Sequence, residues 1–370
     1  MEIRISDVMQ SLADIAPWEL QENYDNSGLL IGDPGQVVSG ILISVDVTES
    51  IVSEAIEKSC NLIISHHPLI FRGLKRLIPV SYVERSVIKA ISNNIAIAAV
   101  HTNLDNVQNG VNSMLAQKLG LIDTAILSPK IHQLRKLVTY CPLSHADQVR
   151  AALFGAGAGQ IGNYDSCSYN SEGYGTFRAG SGAQPFVGEA GKLHHENETK
   201  IETIVPVFRL QHAIKAMKEA HPYEEVAYDV YMLENLSIQT GSGLIGTLAK
   251  PLSEIDFLAL CNKAFGTACI RHTALMGKAV QKIAVCGGSG AFLIDEAERN
   301  RADAYVTSDI KYHDFFDASG RLLLIDAGHY ETEQYTKELI RDIIVKKIPT
   351  FAPSISEVNT NPVNYYHANQ

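Results

Sequence analysis

Residues 61–72 read NLIISHHPLIFR. Leu62, Ile63 and Ile64 form a short apolar run of the kind that makes a buried strand, and it stops at two adjacent histidines followed by Pro68. Proline cannot continue a sheet ladder, so the strand ends there. Arg72, Lys75 and Arg76 follow closely. Two imidazoles at the carboxyl end of a strand, with cations nearby, suit a metal that meets an anionic substrate.

On the amino-terminal side, GILISVD (40–46) reads as a strand and 48–59 as a helix. On the carboxyl side, 81–93 reads as a helix with Val83, Val87, Ile88 and Ile91 on one face. The next strand, IAIAAV (95–100), runs straight into His101, Thr102, Asn103, Leu104 and Asp105. Ser6 is expected to cap a first helix that Pro17 ends, and Asn109 to cap a helix through Leu119. Between them, WELQENYDNSGLLIGD (18–33) reads as a polar, glycine-bearing loop. Alternating strands and helices predict a mostly parallel sheet covered on both faces.

Residues 127–235 break that rhythm. A strand (135–141), a helix (144–154) and a long Gly/Ser/Tyr-rich stretch (155–200) precede strand 201–208, helix 209–220 and strand 226–233. The order β-α-β-β-α-β, with two glycine-rich strands in the middle, predicts a small ferredoxin-like α+β domain inserted as a unit. The glycine-rich stretch is expected to be a hairpin with a mobile tip. His194 and His195 lie in it without a carboxylate cluster at strand ends, and no site is assigned to them. From 236 the alternation returns, with helices at 253–265, 290–299, 310–318 and 331–346 around strands at 282–286, 303–306 and 321–325. The fold class is therefore α/β, with two similar α/β halves, 1–126 and 236–370, and the domain 127–235 between them.

A chain of 370 residues is long for a single core, which agrees with two or three domains. Its six cysteines form no CxxC pair and stand in no framework, which excludes a zinc ribbon and suits a reducing compartment. No apolar run approaches the ~18 residues of a membrane span, and MEIRISDVMQ lacks the apolar core of a signal peptide, so a cytoplasmic protein is expected. A net charge of -10 argues against broad adhesion to nucleic acid or to an anionic membrane.

Ligands of open α/β sheets bind beyond the carboxyl ends of the strands. Four clusters occupy such ends: His66 and His67; His101 to Asp105; Thr307, Ser308 and Asp309; Asp326 and His329. His329 and Glu333, four apart at the start of the last helix, share one face. Asn103 and Asn106 make the segment of Asp105 read as a loop. The candidate ligands are His66, His67, Asp105, His329 and Glu333. These exceed what one tetrahedral catalytic zinc with an open position takes. Two divalent metals about 3.5–4 Å apart, bridged by Asp105 or Glu333, would use them all. Nitrogen and oxygen ligands without thiolate fit zinc first, with iron, manganese or magnesium as alternatives. His101 and His313 are candidates for proton transfer, and Arg72, Lys75, Arg76 and Lys311 for holding a triphosphate. Glu331 falls off the ligand face.

Six motifs resemble the GTP cyclohydrolase I type 2 family, also called the Nif-three-like family. They are YDNSGLLIGD (24–33), ISHHPLIF (64–71), HTNLDN (101–106), GGSG (287–290), TSDIKYHD (307–314) and DAGHYETE (326–333). Tyr24 stands where a tryptophan is common in the family. The resemblance implies a Nif-three-like fold and dinuclear metal ligands at the same five positions, with His101 facing substrate or supporting a ligand. HPYEEVAYDVY (221–231) carries a likeness to PII-like and CutA-like domains. It also implies a toroidal homohexamer, a trimer of dimers, with inserts capping the ring, and a metal-dependent hydrolase of an anionic substrate such as a nucleotide. The family name points to GTP, opened at C8 of guanine with release of formate. The alternatives are a hydrolase of another nucleotide or phosphoester, and a regulatory protein that uses the insert to sense a small molecule or engage a partner.

Overall fold

The computed structural model describes residues 2–237 and 239–366. The apolar run at Leu62–Ser65 is a strand buried at every residue. It pairs in parallel with Ile41–Ser44 on one side and Ala96–Ala99 on the other. Burial on both faces explains why these strands show no alternation of apolar and polar residues. Ser354–Ile355, from the far end of the chain, adds a parallel edge beside Ile41–Ser44. Gly28–Ile31 adds an antiparallel edge beside Ala96–Ala99. One face is covered by the helices Glu49–Glu57 and Tyr82–Ser92, whose Ile51, Val52, Val87 and Ala90 pack on Leu42, Ile63 and Ile97.

A second sheet joins one strand that precedes residues 130–238 to five that follow them. Its centre is a parallel trio, Ala279–Ser289, Ala304–Ser308 and Leu323–Asp326. Gly241–Ser253 and Leu121–Pro129 extend one side antiparallel, and Arg271–His272 the other. The period of two along a strand sorts the core: Ile283, Val285, Ala304, Val306, Leu323 and Ile325 face one layer. Ala284, Cys286, Tyr305, Leu322 and Leu324 face the other.

The chain divides into two compact units, Met1–Pro129 with Gln239–Gln370, and Lys130–Ile238. The second unit runs strand Leu134–Pro142, helix Ala146–Gly155, strands Ser168–Arg178 and Leu193–Pro206, helix Leu210–Ala220 and strand Tyr228–Leu233. Its antiparallel sheet places these strands, numbered in order of sequence, as two-three-one-four. The glycine-rich stretch holds its central hairpin, paired from Ser168 opposite Thr203 to Arg178 opposite Leu193.

Several local expectations are corrected. The first helix is Ile5–Ala13 and its cap is Arg4, because the Asp7 carboxylate accepts the Arg4 N–H at 2.8 Å. A turn from Val107 to Gly110 carries the chain past Asn109, so Gly110 caps the helix Val111–Lys118. Gly28–Ile31, read within a loop, is the edge strand. Residues Thr102–Asp105, also read as a loop, make one helical turn, in which the Asp105 N–H donates to the His101 carbonyl. No described helix is long and apolar enough to cross a membrane.

Candidate metal centre

The double histidine is held by the sheet it terminates. The backbone N–H groups of His66 and His67 donate to the carbonyls of Ser44 and Val45, which carries the parallel ladder two residues past the strand. The Ser65 hydroxyl donates to the His67 carbonyl at 2.7 Å. Both imidazoles are thereby placed at the carboxyl edge of the first sheet. His329 and Glu333 open and close the short helix His329–Glu333, which follows strand Leu323–Asp326 of the second sheet. The two sheet edges converge, with Nε2 of His67 and Nε2 of His329 only 3.3 Å apart.

Each imidazole has its Nδ1 engaged. Nδ1 of His66 lies 2.8 Å from the Val100 carbonyl. A carbonyl only accepts, so that nitrogen carries the proton and Nε2 of neutral His66 is a bare lone pair. Carboxylates play the same part at 2.7 Å for the others: Asp46 for His67, Asp309 for His329 and Asp25 for His101. Such partners fix the tautomer of metal-ligating histidines and raise their basicity.

The Nε2 atoms converge on carboxylate oxygen. Nε2 of His67 and of His329 stand 2.8 and 3.0 Å from Oε2 of Glu333. Nε2 of His66 stands 3.6 Å from Oε1 of Glu333 and 3.8 Å from Oδ1 of Asp105. His66 Nε2, Asp105 Oδ1 and Glu333 Oε2 are buried with no hydrogen-bond partner. Lone pairs aimed at lone pairs in a buried site need a cation between them, so these residues fit a divalent metal. Two triads have ligand atoms within 4.8 Å of one another: His67, His329 and Glu333, and His66, His67 and His101.

The electrostatics carry the same message. Burial alone would push the His67 and His329 pKa values down from 6.5, but Glu333 with Asp46 or Asp309 raises them to about 10 and about 11. Burial would raise Glu333, but His329 and His66 hold it well below the usual carboxylate range. Asp105 moves the other way, pushed up by burial and by Glu333. Without metal, protons occupy the cation's place. The stability these two histidines give the metal-free chain is fully present below pH 6.5 and is lost as pH rises toward 10–11. A metal held there would displace both protons, so the apparent affinity for a divalent metal should rise with pH between 6 and 8 by about tenfold per pH unit for each proton released. Calorimetric titration in buffers of different ionisation enthalpy measures that release; a pH-independent affinity would contradict it.

A cavity of about 220 Å³ opens onto the cluster, lined among others by His101, Asp105, His329, Glu333, Tyr24 and Phe292. His101, anticipated for proton transfer, is therefore both in the cavity wall and within the reach of the histidine cluster. The remaining anticipated residues lie elsewhere. His313 is exposed and packs on Tyr312 at 5.3 Å, and Arg72, Lys75, Arg76 and Lys311 are exposed and do not line the cavity. Glu331 is buried and accepts from Asn361. His194 and Glu196 pair at 2.9 Å on the hairpin of the other unit.

The three supporting aspartates were not singled out as such from sequence. Asp309 directly follows strand Ala304–Ser308, Asp46 comes two residues after strand Ile41–Ser44, and Asp25 lies in the YDNSG motif. Asp25 has no exposed side-chain surface; burial opposes its charge, but His101 and Thr102 hold it far below the usual carboxylate range. The Thr360 hydroxyl donates to Asp46 at 2.7 Å, which ties the C-terminal segment to His67. Asn112 donates to the Asp105 main-chain carbonyl and accepts from the Gly287 N–H, so the end of strand Ala279–Ser289 is tied to the backbone of Asp105.

Fold and site together define a mixed α/β protein with a His/Glu cluster able to hold a metal ion. The profile of the Duf34/NIF3 (NGG1p interacting factor 3) family matches residues 3–362, and the chain belongs to that family. It is 36% identical to the GTP cyclohydrolase 1 type 2 homolog of Bacillus subtilis, over 97% of each chain. A protein of the same name from Halalkalibacterium halodurans is 39% identical over 97% of this chain and 98% of its own. Among solved structures, a Bacillus cereus protein related to NIF3 superposes with a TM-score of 0.86 at 37% identity, covering 99% of this chain and 100% of that one. A Staphylococcus aureus protein does so with a TM-score of 0.77 at 31% identity, over 99% of each.

Proposed function

We propose that the cluster holds two divalent ions, zinc first, and that the chain is a metal-dependent hydrolase of the cyclohydrolase type. The observation that carries this reading is the convergence of three Nε2 atoms on Glu333. Its Oε2 faces His67 and His329, whereas its Oε1 faces His66, which also faces Asp105. The carboxylate thus presents one oxygen to each of two positions, and Glu333 rather than Asp105 is the bridging candidate. Ions held there would supply Lewis acidity and lower the pKa of water. Asp46, Asp309 and the Val100 carbonyl keep the imidazoles oriented. Asp25 holds His101 with its Nδ1 proton turned away from the cavity, leaving Nε2 to accept or return a proton there.

Tyr24 and Phe292 line the cavity, and Phe71 lies 6.4 Å from Tyr24 between ring centroids. Aromatic rings at the mouth suit a planar heterocycle. At about 220 Å³ the cavity is smaller than the ~300–1,000 Å³ of pockets that enclose a whole drug-sized ligand. A nucleotide would place only its reacting ring inside, with its phosphates outside, and the exposed Arg72, Lys75, Arg76 and Lys311 are the cations proposed to reach them. GTP, opened at C8 with release of formate, is the first substrate to try; another nucleotide or phosphoester would use the same centre. In the same reading, residues 130–238 are a PII/CutA-like insert and the assembly is a toroidal homohexamer.

The test is metal content and formate release from GTP on one sample. Two ions per chain with formate release, both lost in His329→Ala, support the full reading. Two ions with turnover only on a phosphoester panel keep the hydrolase and discard GTP. Undiminished turnover by chelated, metal-free protein would overturn it.

A further inference from the structure

The unit Lys130–Ile238 has a cavity of its own, about 710 Å³, within the usual range of small-molecule sites. Helices cover only one face of its sheet, where Leu137, Cys141, Ile201 and Val205 pack on Val149, Leu153, Ala213 and Met217. Tyr140 and Lys200, opposite each other in the ladder, alternate with those core residues and so point to the other face, as does Glu198. The cavity forms there. Phe177, Phe186 and Tyr223 wall it, with Tyr223 centred 6.1 Å from Phe177 and 6.4 Å from Phe186.

Its floor is made by absent side chains. Gly173, Gly175 and Phe177 share one face of strand Ser168–Arg178. Glycine weakens a strand interior, and often marks where something approaches the backbone closely. At 175 the reason is local, since a Cβ would stand 2.2 Å from Oε2 of Glu198. At 173 a Cβ would meet nothing within 4 Å, so packing inside the protein does not call for that glycine.

The chemistry of the walls selects the sign of a ligand. Oε1 of Glu198 accepts from the Tyr223 hydroxyl at 3.0 Å. Burial and Glu198 both raise the phenol's pKa, so Tyr223 stays the donor of that bond. Four glutamates line the cavity, against Arg178 and Lys200. The lysine is already paired with Glu202 at 2.8 Å. Aromatic faces and surplus negative charge attract cations and repel anions.

We propose that this cavity binds a small organic cation, an ammonium or protonated heterocyclic amine with an apolar body, its charge seated between Glu198 and the rings of Tyr140, Phe177 and Tyr223. The full-length chain, with its metals, is titrated by ligand-observed NMR and calorimetry with benzyltrimethylammonium as the probe, benzyl alcohol as its neutral counterpart and benzenesulfonate as the anionic one. The cation should bind saturably and at least about tenfold more tightly than either counterpart. Gly173→Leu, whose side chain enters open space, should abolish that binding with unchanged metal content. Glu198→Gln, nearly isosteric, should weaken it about tenfold and so keeps the test informative if the leucine variant folds poorly. No saturable binding of the cation, equal or tighter binding of benzenesulfonate, or wild-type affinity in both variants would overturn the proposal.

Discussion

Glu333→Gln should strip the cluster of metal while leaving both sheets of the larger unit folded. Glu333 is 3% exposed and, among the described residues, is the one carboxylate paired with His66, His67 and His329 together. The amide has nearly the same shape, so packing against Gly287 and Gly288 is preserved. Its NH2 can donate to a bare Nε2, which offsets part of the lost ion pairing, and His67 and His329 can release their protons once the charge is gone. The metal-free fold therefore loses less than the ~3–5 kcal/mol typical of breaking a buried pair by leaving a charge stranded. Metal has no such substitute, because the negative charge shared by both proposed positions is lost and one of the two ligand oxygens becomes an NH2 that cannot coordinate. Affinity should fall at least about a hundredfold, or ~2.7 kcal/mol, with turnover falling in step. Elemental analysis after dialysis against a weak chelator, beside circular dichroism of the same sample, separates this outcome from unfolding. Wild-type metal content in the variant would mean that any bound ion lies elsewhere.

The five ligand candidates could be picked from sequence because each signal is local. A double histidine that cuts off an apolar run, and a His and Glu four apart on a helix, carry their geometry in their spacing. That the edges of two different sheets meet there is a tertiary fact, and no spacing between residues 67 and 329 encodes it. The supporting aspartates were hidden for a related reason. A single Asp after a strand is common, and only the 2.7 Å approach of Asp46 or Asp309 to a particular Nδ1 gives it a task. An antiparallel strand beside the parallel trio was the other gap. Gly241–Ser253 contains Gly241, Gly243, Gly246 and Pro251, residues of low strand propensity, and no strand was assigned to it from sequence. It is a strand because Leu121–Pro129 and Ala279–Ser289 pair with it on both sides, and such pairing overrides weak intrinsic propensity. The cavity around Glu198 depends on which residues of three strands share a face, so it emerged only with the register of the hairpin.

Gly288→Ala should cost the chain its metal although every candidate ligand remains. Gly288 has φ +60°, a left-handed conformation that L residues adopt at a cost of ~1–2 kcal/mol. The added Cβ would stand 2.1 Å from Oε1 of Glu333 and 3.3 Å from Nε2 of His329. The backbone has little freedom to retreat. The Gly288 N–H donates to the Thr332 hydroxyl and its carbonyl accepts from the Thr307 hydroxyl, both at 3.1 Å, so it is pinned between the second sheet and the helix that carries the ligands. What yields is the carboxylate, which must rotate away from His66 and lose the geometry that serves two positions. Metal content should drop about as far as in Glu333→Gln, with an added stability loss of about 1–3 kcal/mol from strain and overpacking that thermal unfolding of the metal-free chain would detect. The comparison discriminates because Glu333→Gln removes charge and keeps shape, whereas Gly288→Ala keeps charge and changes shape. If the alanine variant retained both ions at wild-type affinity, the carboxylate could turn without penalty, and its present orientation between the histidines would not be the one that binds metal.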